Sequence, residues 1–390
     1  MQGQFQFHVG YDDYLHPVPA VNFQLNRWIN YLGESALEEL RAIAPKLKDF
    51  PSYRREFLAL AEKALAEGRR LHAAYYFRSA EFFMWRDDPV KQPTRQKFLQ
   101  LVLEHYGVKA NDAHAIPYQD GDVRANLFAY RFTPDQPKET LVIFGGSDSY
   151  IEEFLPILLA LRNQGYDIVC FEGPGQGHVL EEAGVPMTPD WHKPVGAVLD
   201  YFGLTEVTLI GISMGGCLVI RAAAFEPRVK RVIAFDVLYD MLGMRRNMAN
   251  PLVRLVMKAL FALKAAPLYN RMVYRAMKEN PQLDWAVRQG MHIQGVQTPL
   301  EYVQKNRAYR TGDVSHLVQQ DVLLMAGTED FAIPLEQFYQ QIEALKNVRS
   351  LTARMFTRAE QAQGHCQVGN LGLAVDFITN WIEFARQHGS

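Results

Sequence analysis

The chain has 390 residues, 48% of them hydrophobic, which is enough for a large core together with a lid or a second small domain. Its 41 lysines and arginines nearly balance 43 aspartates and glutamates, so neither nucleic acid nor an anionic membrane is expected as a partner. The three cysteines show no disulfide framework and no metal-ligand spacing. Because a signal-peptide pattern and a run of 18 hydrophobic residues are also missing, we expect a cytoplasmic protein.

Residues 1–115 are predicted to form an extended lead-in followed by a helical domain. Pro17 and Pro19 mark the lead-in, and hydrophobic residues then recur at helical spacing. Gly68 separates two of the predicted helices, and the second is rich in aromatic residues. Such a pair resembles the hairpins of helical-repeat proteins, but a single unit does not predict a solenoid.

Residues 116–239 and 317–390 are predicted to form one α/β domain. Short hydrophobic strands alternate there with helices, which indicates a mostly parallel sheet with helices on both faces. A turn at residues 120–122 predicts that a hairpin enters the sheet at its edge. The other predicted strands are 141–144, 166–171, 207–210, 229–235, 322–326 and 348–356.

Residues 240–316 break this alternation and are predicted to form an inserted helical lid, because about 75 residues without strand character are too many for an ordinary loop. Methionines in the first half of this segment are interpreted as core fillers of the lid rather than as a cofactor site. They are Met241, Met244, Met248, Met257, Met272 and Met277. Several aromatic residues of the lid suit a flat substrate, although packing inside the lid also explains them. They are Phe261, Tyr269, Tyr274 and Trp285.

The segment Gly211-Ile212-Ser213-Met214-Gly215 joins a hydrophobic strand to a hydrophobic helix. In this setting G-x-S-x-G predicts a nucleophile elbow, a strained turn that lifts the oxygen of Ser213 above the sheet. Glycine is needed at both ends because the strand and the helix pass close to the turn. An ordinary turn between a strand and a helix is the alternative. The N–H of Met214 would lie beside the serine oxygen and is the first predicted donor to an oxyanion.

A serine nucleophile needs a general base and an acid that orients the base, and in α/β hydrolases the acid precedes the histidine. Asp330 follows strand 322–326 and is the predicted acid, although it could merely cap the following helix. Asp236, at the end of strand 229–235, is the rival acid. His365, in a loop after the last strand, is the predicted base, with an ordinary surface or core histidine as the alternative.

The second oxyanion donor is expected directly after strand 141–144, and Gly146 is preferred to Ser147. Polar residues after several strands are candidates for the substrate pocket, although His178 could simply be exposed. These candidates are Ser147, Asp148, Asp236, Asp240 and His178. The glycine-rich segment 172–177 matches neither of the two common phosphate-binding patterns, so nucleotide binding is not predicted.

Four motifs together resemble one group of α/β hydrolases. They are F-E-G-P-G-Q-G (171–177), G-I-S-M-G-G (211–216), G-T-E-D (327–330) and G-H-C-Q-V-G-N (364–370). The group includes fungal heptaketide-pigment hydrolases, 2,6-dihydropseudooxynicotine hydrolase and bacterial polyketide-shortening hydrolases of anthraquinone biosynthesis. The segment A-A-Y-Y-F-R-S-A (73–80) is similar to the additional helical domain of this group. The resemblance covers about residues 30–388 and implies an α/β-hydrolase fold.

The resemblance implies that Ser213, Asp330 and His365 cleave a carbon–carbon bond next to a ketone, in a retro-Claisen reaction on a polyketide or an aromatic β-diketone. Since the group also contains ester hydrolases, a carboxylesterase or thioesterase with the same triad is the alternative. The complete triad argues against a binding module without activity. No cofactor and no metal are expected. The expected partner is a small molecule, free or bound to a carrier protein, and a homodimer is left open.

Overall fold

The computed structural model describes residues 6–245 and 265–388, together with residues 255, 259 and 261. Five helices come first: α1 Pro19–Leu32, α2 Glu34–Ile43, α3 Phe50–Ala66, α4 Arg70–Phe82 and α5 Lys91–Tyr106. The side chain of Asp49 caps α3 by accepting a hydrogen bond of 2.8 Å from the Ser52 N–H. Helix α4 packs between α3 and α5 and is buried from Ala73 to Phe82, so it forms the centre of this helical region.

An eight-stranded sheet follows the helices. Its strands are β1 Ala113–Asp120, β2 Val123–Phe132, β3 Thr140–Phe144, β4 Asp167–Glu172, β5 Val207–Ile212, β6 Val229–Phe235, β7 Asp321–Gly327 and β8 Ser350–Phe356. Their order across the sheet is β1-β2-β4-β3-β5-β6-β7-β8. The first two strands form an antiparallel hairpin, β2 is antiparallel to β4, and the other pairs are parallel. This arrangement confirms the predicted mostly parallel sheet.

Helices cover both faces of the sheet because the strand side chains alternate between two hydrophobic cores. Leu141 and Ile143 of β3 face the core that includes the N-terminal helices, whereas Val142 and Phe144 face the other core. Helices α6 Leu155–Asn163 and α14 Leu371–His388 lie on the first face. Helices α7 Gly177–Ala183, α8 His192–Phe202, α9 Gly215–Ala223 and α13 Glu336–Ala344 lie on the second.

Three helices of the insertion lie between β6 and β7 along the chain: α10 Ala266–Glu279, α11 Pro281–Gln294 and α12 Pro299–Asn306. The side chain of Asn280 caps α11 by accepting from the Gln282 N–H at 3.0 Å. The three helices pack on one another around two small hydrophobic clusters. Elsewhere in the described part of the insertion there are short 3-10 helices at Gly243–Arg245 and Ser315–Leu317, turns, bends and a bridge between Asp240 and Arg310.

The methionines of the insertion divide between two cores. Met272 and Met277 pack in the lid's own clusters, as predicted for core fillers. Met241 and Met244 instead pack against the core of the sheet domain, which corrects their assignment to the lid core. Met248 and Met257 lie outside the described residues. No helix in the described part of the chain is long and hydrophobic enough to cross a bilayer.

Candidate active site

Ser213 sits on a sharp turn between β5 and α9. Its backbone has a φ of 61°, in the left-handed region that residues with side chains rarely adopt. A Cβ atom at Gly211 would lie 2.0 Å from the Gly215 carbonyl oxygen, and one at Gly216 would lie 1.7 Å from the Asp236 carbonyl oxygen. Only glycine therefore lets the strand, the turn and the helix approach so closely. The turn holds the serine side chain partly exposed at the carboxyl ends of the strands.

The structure brings Ser213, His365 and Asp330 together in one chain of hydrogen bonds. The serine Oγ lies 2.8 Å from His365 Nε2, and His365 Nδ1 lies 2.6 Å from Asp330 Oδ2. The other carboxylate oxygen of Asp330 accepts from the backbone N–H groups of Ala332 and Ile333, at 2.6 and 3.0 Å. Asp330 thus holds the following turn with one oxygen and orients the imidazole with the other.

The electrostatics of this chain favour a charged imidazole beside a charged carboxylate. Burial alone would lower the pKa of His365, but the Asp330 carboxylate outweighs burial and holds that pKa well above its usual value. Burial alone would raise the pKa of Asp330, but the charge and hydrogen bond of His365 hold it below its usual value. Such an arrangement would stabilise an imidazolium at His365.

Gly146 lies directly against the serine. A Cβ atom there would lie 3.2 Å from Ser213 Oγ and 3.1 Å from the backbone nitrogen of Met214. The backbone of Gly146 therefore borders the same small space as the Met214 N–H at the start of α9. An oxyanion hole needs two N–H donors beside the nucleophile, which makes Gly146 a candidate for the second one. The neighbouring Ser147 is half-buried.

Gln176 supports this loop from the glycine-rich segment after β4. Its side-chain nitrogen donates to the carbonyl oxygens of Gly145 and Gly146, at 2.7 and 3.0 Å. Its side-chain oxygen accepts from the Gly173 N–H at 3.0 Å, and the side chain is buried. Gln176 was not among the predicted site residues. The signal in the sequence was a single amide side chain in an otherwise small, glycine-rich turn, E-G-P-G-Q-G.

Asp148 lies two residues beyond Gly146. Part of the residue is exposed to solvent. Desolvation by the surrounding protein nevertheless raises the pKa of Asp148 to about 6, against the opposing charge of Arg78 and a hydrogen bond from Gln289 of α11. Its carbonyl oxygen accepts from Arg78 of α4 at 2.7 Å. Asp148 therefore joins the sheet domain to the N-terminal helices and to the lid.

Two other predicted pocket residues make contacts elsewhere. His178 lies among Glu152, Glu182 and Arg95, each with a polar atom 2.9 Å from its ring. Burial would lower the pKa of His178, but nearby carboxylates outweigh burial and raise it to about 9. Asp240 accepts from the backbone N–H of Leu242, at 2.9 Å. Neither residue makes a described hydrogen bond with Ser213 or His365, so the structure does not bring them directly to the serine and its histidine.

Two phenylalanines that were not predicted cover the histidine. The ring centroid of Phe23, in α1, lies 5.7 Å from that of His365, and the centroid of Phe331 lies 6.2 Å away. The two phenylalanine rings are 5.2 Å apart. Phe23 and His365 lie near opposite ends of the chain, so no local pattern could have indicated their contact.

Trp285 of the lid contacts the N-terminal helices. Its ring stacks on Phe82 with 5.3 Å between centroids and meets Phe83 edge-on at 5.1 Å. Tyr269 is buried within the lid, and Tyr274 is largely exposed. The aromatic residues of the described lid therefore serve different roles, and Trp285 joins the lid to the helical region on one side of the site.

Two side-chain clusters in the described ranges bring three possible metal ligands within 4.8 Å of one another. In the cluster of Asp236, His365 and Cys366, both nitrogens of the histidine are already engaged by the serine and by Asp330. The second cluster consists of Glu152, Glu172 and His178. There the guanidinium of Arg95 contacts the histidine ring, and its charge would repel a cation. The donor sets of both clusters therefore fit ion pairs better than a metal.

A mostly parallel sheet with a serine at a tight turn after its central strand, and with a histidine and an aspartate at the neighbouring strand ends, is the architecture of an α/β hydrolase. The family model described as alpha/beta hydrolase fold matches residues 143–366. This match spans more than half of the chain, so the protein belongs to the α/β-hydrolase family.

Curated relatives extend the match over most of the chain. The hydrolyase poxO of Penicillium oxalicum is 29% identical over an alignment 414 residues long, gaps included, which covers 94% of this chain and 96% of that protein. The α/β hydrolase ucsC of an Acremonium species is 32% identical over 273 residues, which cover 56% of this chain and 54% of that protein. The predicted resemblance to fungal hydrolases is thus confirmed.

Solved structures show the same fold. The crystal structure of 2,6-dihydroxy-pseudo-oxynicotine hydrolase matches with a TM-score of 0.57 and 21% identity, over 85% of this chain and 86% of that one. The structure of AbyA5 matches with a TM-score of 0.62 and 16% identity, over 90% of each chain. At these identities the similarity concerns the fold alone.

Proposed function

We propose that this α/β hydrolase is a serine hydrolase that cleaves a carbon–carbon bond next to a ketone, in a retro-Claisen reaction on a polyketide or aromatic β-diketone. The observation that carries the serine mechanism is the unbroken chain of hydrogen bonds from Ser213 through His365 to Asp330. The type of bond is argued from the four motifs that resemble the group of carbon–carbon hydrolases described above.

The reaction balances with the residues at hand. His365 takes the proton of Ser213 while the serine oxygen attacks the ketone carbon. The oxyanion accepts from the N–H groups of Met214 and Gly146, and loss of one such donor raises the barrier by about 3 kcal/mol. The carbon–carbon bond then breaks, and its electron pair leaves on a carbon that the second carbonyl of the diketone stabilises. That carbon takes the proton from His365, and water then hydrolyses the acyl-serine.

The surroundings of the serine suggest the shape of the substrate. Phe23 and Phe331 present hydrophobic rings beside the base, which suit a flat or hydrophobic molecule. Asp148, with its pKa raised to about 6, offers a carboxylate above that pH to a hydroxyl group of the substrate. A hydroxylated aromatic or polyketide β-diketone has both the hydrophobic face for the phenylalanine rings and the hydroxyl group for Asp148.

The nucleophile is tested by covalent labelling with a fluorophosphonate and identification of the modified residue by mass spectrometry. We expect labelling at Ser213 that is lost in Ser213→Ala. Ser35→Ala is the matched control, since Ser35 also contacts a histidine, His72, at 2.9 Å but lies exposed in another part of the chain. Folded wild-type protein that is not labelled at Ser213 would overturn the serine mechanism.

The bond is tested by comparing an aryl β-diketone with the ester that has the same acyl group. We expect the diketone to yield a carboxylic acid and a ketone, with oxygen-18 from labelled water in the acid. Ser213→Ala should abolish both products. Rapid hydrolysis of the ester, with none of the diketones cleaved, would mean that the enzyme acts on an ester or thioester bond rather than a carbon–carbon bond. The assignment of Ser213 as the nucleophile would not change.

A further inference from the structure

Asp236 lies beside the base, although the mechanism above does not use it. It follows β6 directly, and Phe235 at the end of β6 pairs with Met325 of β7, the strand that leads to Asp330. Its Oδ2 lies 3.6 Å from His365 Nδ1. The same oxygen accepts from the backbone N–H of Cys366 at 3.0 Å. Asp236 is 1% exposed, so water does not screen it from its neighbours.

The histidine therefore faces two carboxyl groups. Asp330 Oδ2 lies 2.6 Å from Nδ1 and Asp236 Oδ2 lies 3.6 Å from the same nitrogen, and both carboxyl groups are buried. Two carboxyl groups can share a hydrogen bond only if one of them carries a proton. Their mutual repulsion in a buried site also opposes ionisation of both. This arrangement favours one carboxylate and one carboxylic acid over two carboxylates.

The surroundings decide which of the two holds the proton. Each carboxyl group accepts two backbone N–H groups, Asp330 from Ala332 and Ile333 and Asp236 from Val237 and Cys366. What distinguishes Asp330 is its closer contact with His365, which favours its charged form. Asp236 has the longer contact with the histidine. Burial, and then the charge of Asp330, hold the pKa of Asp236 well above its usual value. The other titratable groups are the Cys366 thiol, beside His365, and the Tyr11 phenol, which senses the charge of Asp330.

We propose that Asp236 is a second acid of the site: it carries a proton, donates it in a hydrogen bond to Asp330, and so holds the Asp330 carboxylate against His365. It acts through Asp330 and is a positioning residue. When Asp330 is absent, Asp236 gives up this proton to solvent and pairs with the imidazole in its place. The inference rests on the proposed roles of Ser213, His365 and Asp330.

The first test measures the second-order rate of fluorophosphonate labelling as a function of pH, which does not depend on the identity of the substrate. Asp236→Asn keeps a neutral donor toward Asp330, so we expect a loss of about two- to fivefold with an unchanged pH midpoint. Asp236→Ala removes the donor, so its rate should fall at least tenfold. A midpoint that moves by more than half a pH unit toward acid in Asp236→Asn would mean that the wild-type Asp236 is charged, and would overturn the proposal.

The second test compares Asp330→Asn with the double variant Asp236→Asn/Asp330→Asn. We expect Asp330→Asn to label at least tenfold faster than the double variant, because only the single variant retains a carboxyl group beside the histidine. Equal rates would contradict the proposal that Asp236 pairs with the imidazole when Asp330 is absent. Asp167→Asn is the control for removal of a buried aspartate, since Asp167 lies at the start of β4, where it bonds Arg131 and Thr133.

The serine mechanism and the role of Asp236 can be contradicted separately. Wild-type protein that is not labelled at Ser213 contradicts the serine mechanism itself. Labelling of the wild type combined with either contradictory result above removes only the role of Asp236. Thermal unfolding of each variant reports whether it is folded, and the pH midpoint of Asp236→Asn decides the question even if the Asp330 variants do not fold.

Discussion

The ring of Phe23, in the first helix, packs edge-on against the ring of His365, in the last loop before α14, with 5.7 Å between centroids. The N-terminal helices therefore form one wall of the candidate active site as well as packing on the sheet. Arg78 of the same region reaches the carbonyl oxygen of Asp148, next to the oxyanion loop. Changes in the helical region should thus affect catalysis directly.

Phe23→Ala should lower kcat/KM about tenfold, because the base loses the ring that fixes its position and shields it from water. Phe23 is 8% exposed, so the free energy of unfolding should fall by about 3 kcal/mol. Phe331→Ala is the comparison, since Phe331 is 45% exposed and should cost less than about 1 kcal/mol. Denaturant unfolding and steady-state kinetics measure both effects. A Phe23→Ala variant that is less stable but fully active would show that Phe23 only packs the core.

Gly146→Ala should lower kcat by about 100- to 1000-fold with little loss of stability. The added methyl group would lie 3.1 Å from the Met214 nitrogen and 3.2 Å from Ser213 Oγ, where the oxyanion is expected. Gly372→Ala is the matched control, because a Cβ there meets no atom closer than 3.6 Å. Single-turnover rates and circular dichroism measure the outcome. An active Gly146→Ala variant would place the oxyanion elsewhere.

Gln176→Ala should lower kcat about tenfold and leave KM nearly unchanged, since Gln176 holds the carbonyl groups of Gly145 and Gly146 but does not contact the reacting atoms. Three buried backbone groups would lose their partner, and each unsatisfied group costs about 1–3 kcal/mol unless water replaces it. Steady-state kinetics and thermal unfolding test this expectation. A rise in KM alone would instead assign Gln176 to substrate binding.

The labelling rate of Ser213 should fall as the pH drops through the pKa of His365, because only the neutral imidazole can take the serine proton. Since this pKa lies well above the usual 6.5, the midpoint should lie above pH 6.5. A midpoint at or below 6.5 would contradict the charge on Asp330. By contrast, burial lowers the pKa of the half-buried His72, which contacts Ser35.

The stability that the pair of His365 and Asp330 contributes should also depend on pH, and for His365 in the opposite sense to the labelling rate. The raised pKa of His365 gives stability that is fully present below pH 6.5 and is lost as the pH rises through its folded value. The lowered pKa of Asp330 gives stability that is present above pH 3.8 and is lost as the pH falls through its folded value. The contribution of this pair to the free energy of unfolding should therefore be largest between these limits. Urea unfolding of wild type and His365→Ala across this range measures the difference, and a difference that does not vary with pH would contradict the ion pair.

A chelator should leave both labelling and turnover unchanged, because the mechanism assigns each proton and charge to side chains and backbone groups. The measurement is the activity of protein dialysed against EDTA, with and without added zinc or magnesium. Loss of activity that a metal restores would contradict this expectation and direct attention to Asp236, His365 and Cys366.

The sheet could be predicted well because its signals are local. Hydrophobic runs at 141–144, 229–235 and 322–326 lie within a residue or so of the observed β3, β6 and β7. The turn at Ser213 needs glycine on both sides because the strand, the turn and the helix pass too close for a side chain, and these glycines are visible in the sequence. The predicted order of serine, acid and histidine likewise places each residue after its own strand, and parallel strands bring such residues to one edge.

The pairing of distant side chains could not be predicted in the same way. His178 and Asp240 follow strands, yet their hydrogen bonds are with residues other than Ser213 and His365. Phe23 contacts the site without any motif of its own, and Gln176 lies in the motif F-E-G-P-G-Q-G, which does not by itself reveal its contact with Gly145 and Gly146. The sequence presents Asp236 and Asp330 as alternatives for one role, yet both lie within 4 Å of His365 Nδ1, at 3.6 and 2.6 Å. The local pattern of hydrophobic residues and glycines is sufficient to specify strands, helices and the serine turn, because those depend on neighbours a few residues away. The wall of the site, the contact of Gln176 with the Gly145–Gly146 loop and the pair of aspartates beside His365 depend on contacts between segments far apart in sequence, which exist only once the helices have packed against the sheet.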